Sequence, residues 1–232
     1  MKSQKEIQSL YQRFEGRFGI KIDGAKQGSD DWFTIKLGVL SASNIHKIIP
    51  GRGGKYKQAR QTYLYDLVAQ VCTGQFPDIS ASAMDWGKSV EDSARATFEM
   101  MNDTSLTELP FVFKDDMFRE GASPDAVDEW GSGVEIKCPY NSANHIAFAL
   151  DEVIKPEYEW QMQYTMRVCD TDAWHFCSFD PRMKKNPMAV KLVKRDEEMQ
   201  KILNDEVPKF IEEYDKALTT VGFSFGEQWK GE

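Results

Sequence analysis

Cysteine is scarce in this chain: there are four in 232 residues, at positions 72, 138, 169 and 177, and none forms a CxxC pair. That spacing argues against a zinc knuckle and a dense disulfide framework, and leaves reduced, mostly buried thiols as the expectation. Long apolar runs are missing too. No window approaches the roughly 18 consecutive apolar residues of a membrane span. The N-terminal MKSQKEIQSLYQRF lacks the apolar centre of a signal peptide. A soluble, unexported, cytoplasmic protein without a membrane partner is expected. Internal repeats and low-complexity linkers are also absent. Positive charge is in deficit, with 29 Lys and Arg against 37 Asp and Glu and a formal net charge of −8. Such a balance counts against a general attraction to nucleic acid, which draws on phosphate neutralisation. What the chain does have is 41% hydrophobic residues, 12% of all residues being aromatic, enough for one sizeable core over residues 1–232.

Apolar periodicity organises that core. Ile7, Leu10, Tyr11 and Phe14 mark a first amphipathic helix ending near Gly16 or Gly19. Ser29 is placed to cap a short helix carrying Trp32, Phe33, Ile35 and Leu37, and Ser41 to cap another through Ile45, Ile48 and Ile49. Residues 63–71 and 80–101 read as longer helices, the first closed by Gly74. The period then shortens, and strands are expected at 107–113, 118–123, 133–138, 173–179 and 188–193, with a helix from Pro156 to Val168 between them. The tail from Asp196 to Leu218 reads as an acidic helix that Pro208 breaks or kinks. Helices around a central run of strands imply an α/β fold with a central mixed sheet and no separable second domain.

The chemically informative stretch is Ser123-Pro124-Asp125, nine residues, then Glu135-Ile136-Lys137. Alternation along a strand puts Glu135 and Lys137 on one face and Ile136 on the other, and a turn near 130–133 can fold Asp125 back beside Glu135. Two carboxylates and an ammonium then converge. Mg²⁺ is held by such a set, with water and phosphate oxygens completing its shell, and the lysine can serve the attacking water. As a bare pattern, D…ExK also decorates many solvated strands. Val134, Ile136 and Cys138-Pro139 place this strand in a core, where an acid and a lysine are costly without a role. Glu91 on the long helix reads equally well as a surface acid, and Gln161 and Gln163 as a solvated polar face. Two basic segments, 47–60 with five Lys or Arg and 182–195 with six, contain no acid and contrast with the acidic tail, so a basic lining behind an acidic exterior is expected.

In order, WGKSVE, GASPDA, GVEIKCP, EWQMQYTM and GFSFGEQW, with SASNIHKII and AQVCTG before them, resemble the phage lambda exonuclease family, the YqaJ-like viral recombinases of the PD-(D/E)xK nuclease superfamily. The resemblance runs from about Gln27 to Trp229. It implies a restriction-endonuclease-like core in a single nuclease domain, with residues 1–20 as an N-terminal helical extension and 196–232 as a C-terminal helical segment. It also implies a Mg²⁺-dependent, processive 5′→3′ exonuclease on double-stranded DNA ends, releasing 5′ mononucleotides and leaving a 3′ strand for a single-strand annealing protein. Mn²⁺ is the expected substitute and Ca²⁺ is expected to be non-productive. A homotrimer encoded by a phage or prophage, in the bacterial cytoplasm, is implied as well. Carried over by position, Asp125, Glu135, Glu91 and the Ile136 carbonyl resemble metal ligands, and Lys137 resembles the residue that serves the nucleophile. Gln163, Ser43 and Ser123 resemble groups that hold the terminal 5′ phosphate. Met84 falls at an apolar wedge between end base pairs, and Arg52 at a basic loop residue. One departure is Lys36, where the family has an arginine gripping the phosphate; lysine keeps the charge and loses the bidentate fork. The same core in an endonuclease, or a non-catalytic DNA-end binding module, are the competing expectations. An iron–sulfur branch is excluded because no cysteine follows Cys177.

Overall fold

Ser3 opens the first helix, α1 (Gln4–Phe18), with a reciprocal cap: its hydroxyl accepts from the Glu6 N–H, and the Glu6 carboxylate accepts from the Ser3 N–H at 2.7 Å. Gly19, at φ 72°, ends it in the left-handed conformation glycine favours. The computed structural model describes residues 1–22, 25–51, 55–76 and 82–230. Ile7, Tyr11 and Phe14 form the buried stripe of α1. The Phe14 ring stacks on Phe113 at 5.3 Å and meets Trp229 edge-on at 4.7 Å. The first twenty residues are thus built into the main core, more deeply than an extension would be.

Ser29 caps α2 (Asp30–Lys36) through the Trp32 N–H. The expected helix after Ser41 is a 3₁₀ turn, Ala42–Lys47, and the Ser41 hydroxyl does not cap it; it accepts instead from the Asn44 amide at 3.2 Å. The helices α3 (Lys55–Thr73) and α4 (Ser82–Asn102) follow, and α3 starts well before the expected residue 63. The strands are β1 (Leu40–Ser41), β2 (Leu106–Thr107), β3 (Val112–Phe113), β4 (Glu120–Ala122), β5 (Ala126–Asp128), β6 (Gly133–Lys137), β7 (Ala173–Phe179) and β8 (Met188–Lys194). Between β6 and β7 lie α5 (Ser142–Asp151), to which the sequence pattern assigns no element, and α6 (Pro156–Cys169); α7 (Glu197–Thr220) closes the chain.

The fold is mixed α/β, and its strands form two sheets. β1-β4-β3 make one, with β1 parallel and β3 antiparallel to β4. β2-β5-β6-β7-β8 make the other, in which only β6 and β7 run parallel. The segment 107–113, expected as one strand, is divided between them: β2 pairs with β5 and β3 with β4. Pro110, which cannot donate to a ladder, lies at the crossing. Pro208 neither ends nor interrupts α7. Gln200, Leu203, Val207, Phe210, Tyr214 and Leu218 stay buried on both sides of it, and that packing outweighs the lost backbone bond.

Side-chain alternation on β6 sorts the layers. Val134 and Ile136 join Ala94 and Phe98 of α4 in a small apolar cluster with Cys177 and Phe179. Glu135 and Lys137 point to the other face, toward α6. All four cysteines are unpaired, Cys169 and Cys177 being buried.

Candidate active site

Register delivers the first carboxylate. Ala126 pairs with Val134 and Val127 with Gly133, so one step back along β5 sets Asp125 opposite Glu135. An Asp125 oxygen accepts the Ile136 N–H at 2.7 Å, fixing its carboxylate on the β6 backbone. Glu135 is 2% exposed, and its Oε1 accepts from Lys137 Nζ at 2.5 Å and from Gln161 Nε2 at 2.6 Å. Lys137 Nζ also lies 3.5 Å from Gln161 Oε1 and 4.8 Å from the Tyr158 ring centre. Oε1 of this buried carboxylate is thus held by both an ammonium and an amide.

Charge crowding marks the site. Burial, and then the like charge of Glu135, push the Asp125 carboxyl well above the ordinary carboxylate range; Glu91 adds to this and Lys137 opposes it. For Lys137 burial works downward, but Glu135 and Asp125 outweigh it and hold the ammonium above its ordinary value. Glu91 reaches the same region from α4, and burial raises its carboxyl while Arg95, at 2.6 Å, pulls the other way. Cys138, the residue after β6, is pushed up to about 12 by burial and by the charges of Glu91 and Asp125.

Among the described residues no three carboxylates, histidines or cysteines form a ready-made metal cage. The donor chemistry nevertheless fits Mg²⁺, which is commonly bound through one or two carboxylates while water and phosphate oxygens fill the rest of its shell. Asp125 and Glu135 supply that pair, and Glu91 is engaged with Arg95. The Ile136 N–H is taken by Asp125 and its side chain by the α4 cluster. A cavity of about 480 Å³ reaches Asp125 past Gln8 and Tyr11 of α1, Lys26 and Glu108.

A second group stands on α2. The Trp32 indole N–H donates to Ser123 Oγ at 2.8 Å, and Lys36 Nζ lies 3.4 Å from the centre of the Trp32 ring. Burial pushes the Lys36 amine down to about 7, while the face of the indole favours the charged form. Among the described residues Lys36 has no carboxylate partner. Ser43 is exposed on the 3₁₀ turn, with its hydroxyl 3.4 Å from that of Ser41.

Gln163 is not brought to the site. It is 2% exposed, its amide donates to the Lys194 carbonyl at 2.8 Å and accepts from the Asp196 N–H at 3.0 Å, and it thereby joins the end of β8 to the start of α7. Residues two apart on a helix are about 200° apart around its axis, so only one of the two glutamines can face β6. That one is Gln161. Tyr158, three residues earlier on the same face, was the available signal. Met84 lies within α4, with its side chain outside the described residues, as is Arg52. The two basic segments are partly neutralised within the fold: Arg60 pairs with Glu206 and Glu213 of acidic α7, and Arg182 with Asp180. Basic and acidic surfaces are therefore less segregated than expected.

Residues 31–173 match the profile of the YqaJ-like viral recombinase domain. An alkaline exonuclease from Laribacter hongkongensis, LHK-Exo, has a similar structure, with a TM-score of 0.75 at 28% identity over 83% of this chain and 96% of that one. The same enzyme in complex with dAMP gives 0.76, again at 28% identity and with the same coverage. A phage-related exonuclease from Haemophilus somnus 129PT shares the fold at a TM-score of 0.66 and 14% identity, over 79% of this chain and 96% of that one. ExoD, an uncharacterized protein of Escherichia coli K12, is 44% identical over 79 residues, or 34% of this chain and 91% of ExoD.

Proposed function

The chain belongs to the YqaJ-like viral recombinase family, and from that membership we propose that it is a DNA exonuclease. It acts 5′→3′ and processively on double-stranded ends, releases 5′ mononucleotides and leaves a 3′ strand for a single-strand annealing protein. The observation that carries this reading is the convergence of Asp125, Glu135, Lys137 and Gln161 at the end of β6.

Asp125 and Glu135 would hold Mg²⁺, with the Ile136 carbonyl, and with Glu91 if it leaves Arg95. Bound there, Mg²⁺ supplies polarisation of the phosphoryl oxygen and a more acidic water. Lys137, donating to Glu135 at 2.5 Å, is positioned to orient the water and to offset charge on the phosphoryl oxygens. Gln161 holds the Glu135 carboxylate in place. Lys36 and Ser123, joined through Trp32, receive the terminal 5′ phosphate, with Ser43 as a further hydroxyl. Mn²⁺ replaces Mg²⁺, Ca²⁺ supports binding without turnover, and the working assembly is a homotrimer, which native mass measurement would read.

Digestion of an end-labelled linear duplex carrying 5′ phosphates tests the proposal. Mononucleotides and a 3′ strand should form in Mg²⁺, and Lys137→Ala should reduce turnover by about 10²–10⁴ while end binding persists. If wild type and variant are equally silent, the reading fails. Cleavage of closed circular DNA would point to an endonuclease instead.

A further inference from the structure

The last turn of α1, the turn between β3 and β4 and the end of α7 enclose a cavity of about 330 Å³. None of its lining residues lies on β5, β6 or α6, which carry the hydrolytic cluster. Two arginines line it. Arg119 is 9% exposed, with its guanidinium carbon 4.0 Å from the centre of the Phe225 ring and 4.9 Å from that of Tyr214. Its Nη2 donates to Asp215 Oδ1 at 2.6 Å, and its buried Nε has no partner among the described residues. Arg17 is held less firmly: its Nη1 lies 3.4 Å from the Asp116 carbonyl, while the Asp116 carboxylate is taken by Arg13 at 2.9 Å. Among the described residues the two guanidinium groups thus have one carboxylate between them, that of Asp215. Beside them Met117 is 61% exposed and Phe223 only partly buried.

A guanidinium presents its N–H donors in a planar fork that matches a carboxylate. Most of those donors are unspent here, in a partly desolvated place where a further anion gains more than it would in open water. The apolar surface beside them sets the rest of the ligand. Arginine, aromatic residues and methionine are the types that concentrate at the centre of protein–protein contacts, and all three meet in this cavity. A nucleic-acid backbone fits less well. Asp115, Asp116 and Asp215 stand half-exposed around the arginines, so a chain of phosphates is repelled where a single carboxylate is not. The geometry points to a peptide-docking site, which takes a segment of a partner protein in which one carboxylate side chain is flanked by large apolar ones. The carboxylate bridges Arg17 and Arg119, and its apolar neighbours cover Met117 and Phe223. This goes beyond the exonuclease reading and does not depend on it, since occupation of the site can be measured without turnover.

Fluorescence anisotropy of a rhodamine-labelled peptide, Ser-Leu-Glu-Phe-Ser with an amidated end, tests the site against two controls: Gln in place of Glu, and Ser in place of both Leu and Phe. The full chain should bind the first peptide about tenfold more tightly than either control, the scale of one charge-assisted hydrogen bond or one buried apolar side chain. Arg17 and Met117 are both exposed, so Arg17→Ala and Met117→Ser should keep the native Tm. Each should weaken the peptide about tenfold and leave duplex affinity and the rate of duplex digestion unchanged. No saturable binding up to about 1 mM, equal affinity for the Glu peptide and either control, or variants that bind as wild type does, overturns the site. So does a fall in duplex affinity that matches the fall for the peptide, which assigns the arginines to a DNA backbone. Failure of the peptide with digestion intact leaves the exonuclease standing, and peptide binding without any digestion leaves the docking site standing.

Discussion

Gln161 and Gln163 are two residues apart and chemically identical, and their substitution by alanine should have opposite consequences. Gln163→Ala removes an amide that is 2% exposed and serves the Lys194 carbonyl and the Asp196 N–H. Gln200, which also donates to the Gln163 side chain, keeps its bond to the Gln163 backbone carbonyl. Two part-buried backbone groups thus lose that partner, at about 1–3 kcal/mol each. A loss on the order of 3 kcal/mol is expected, which for a chain of this length lowers Tm by about 6–12 °C. Gln161 is half-buried and gives one bond to Glu135, which retains Lys137. Its removal should cost about 1 kcal/mol and reduce turnover by about 10- to 100-fold, as expected of a group that orients a metal-binding carboxylate. Thermal unfolding followed by circular dichroism and the rate of duplex digestion, measured on both variants below their Tm, separate the effects. A Gln163→Ala protein of native Tm that no longer turns over, beside a fully active Gln161→Ala, would falsify the placement of the two amides.

Lys36 sets a pH dependence. Burial holds its amine near 7, against an ordinary 10.5. The unfolded chain therefore binds the extra proton between those values, and the stability that the buried charge removes below pH 7 is recovered as pH rises toward 10.5. A 5′ phosphate needs the charged form, so the preference for phosphorylated over hydroxyl ends should be larger at pH 6.5 than at 8.5, and Lys36→Met should abolish both the preference and its slope. Asp125 behaves in the opposite sense. Its carboxyl is held above the ordinary 3.8, so the metal-free protein loses stability as pH rises from about 4 through the folded value. At pH 8, Mg²⁺ at about 100 times its Kd should return about 2.7 kcal/mol, seen as a rise in Tm that EDTA reverses and Asp125→Ala lacks. A methyl group at Gly133 meets the buried Trp174 indole, so Gly133→Ala should lower stability by about 1–3 kcal/mol, with an unchanged Tm counting against the tight packing at the start of β6.

The parts of this fold that were legible in the sequence are those where local pattern and tertiary burial agree. Alternation over Gly133–Lys137 identified β6 and its two faces, and Asp125 came beside Glu135 because a short turn leaves little choice of register. The stripe of α1 was equally plain, although its place in the main core depends on distant rings such as Phe113 and Trp229. Residues 107–113 were misjudged because a run of suitable residues says nothing about which sheet each half joins. α5 escaped because its apolar residues do not share a face: Phe148 is 5% exposed while Leu150 is 77%. Pro208 does not break α7, because propensity is a weak force beside a helix face of six buried side chains. Gln163 was carried over by position along a motif, whereas the angle around the helix axis sets Gln161 beside Glu135.

The chain leaves the smaller sheet at Ala122 and enters the larger at Ala126, and Ser123, Pro124 and Asp125 are all that lies between. Ser123 accepts from the Trp32 indole of α2, and Asp125 accepts from the Ile136 N–H of β6. On the function proposed above, the gripped phosphate and the cut phosphate are successive on one DNA strand. The protein's counterpart of that interval is a span of about 7 Å between two Cα atoms, with Pro124 fixing its middle torsion. On that reading these three residues would set the spacing between the groups that hold the two phosphates, through the length of the bridge between the sheets.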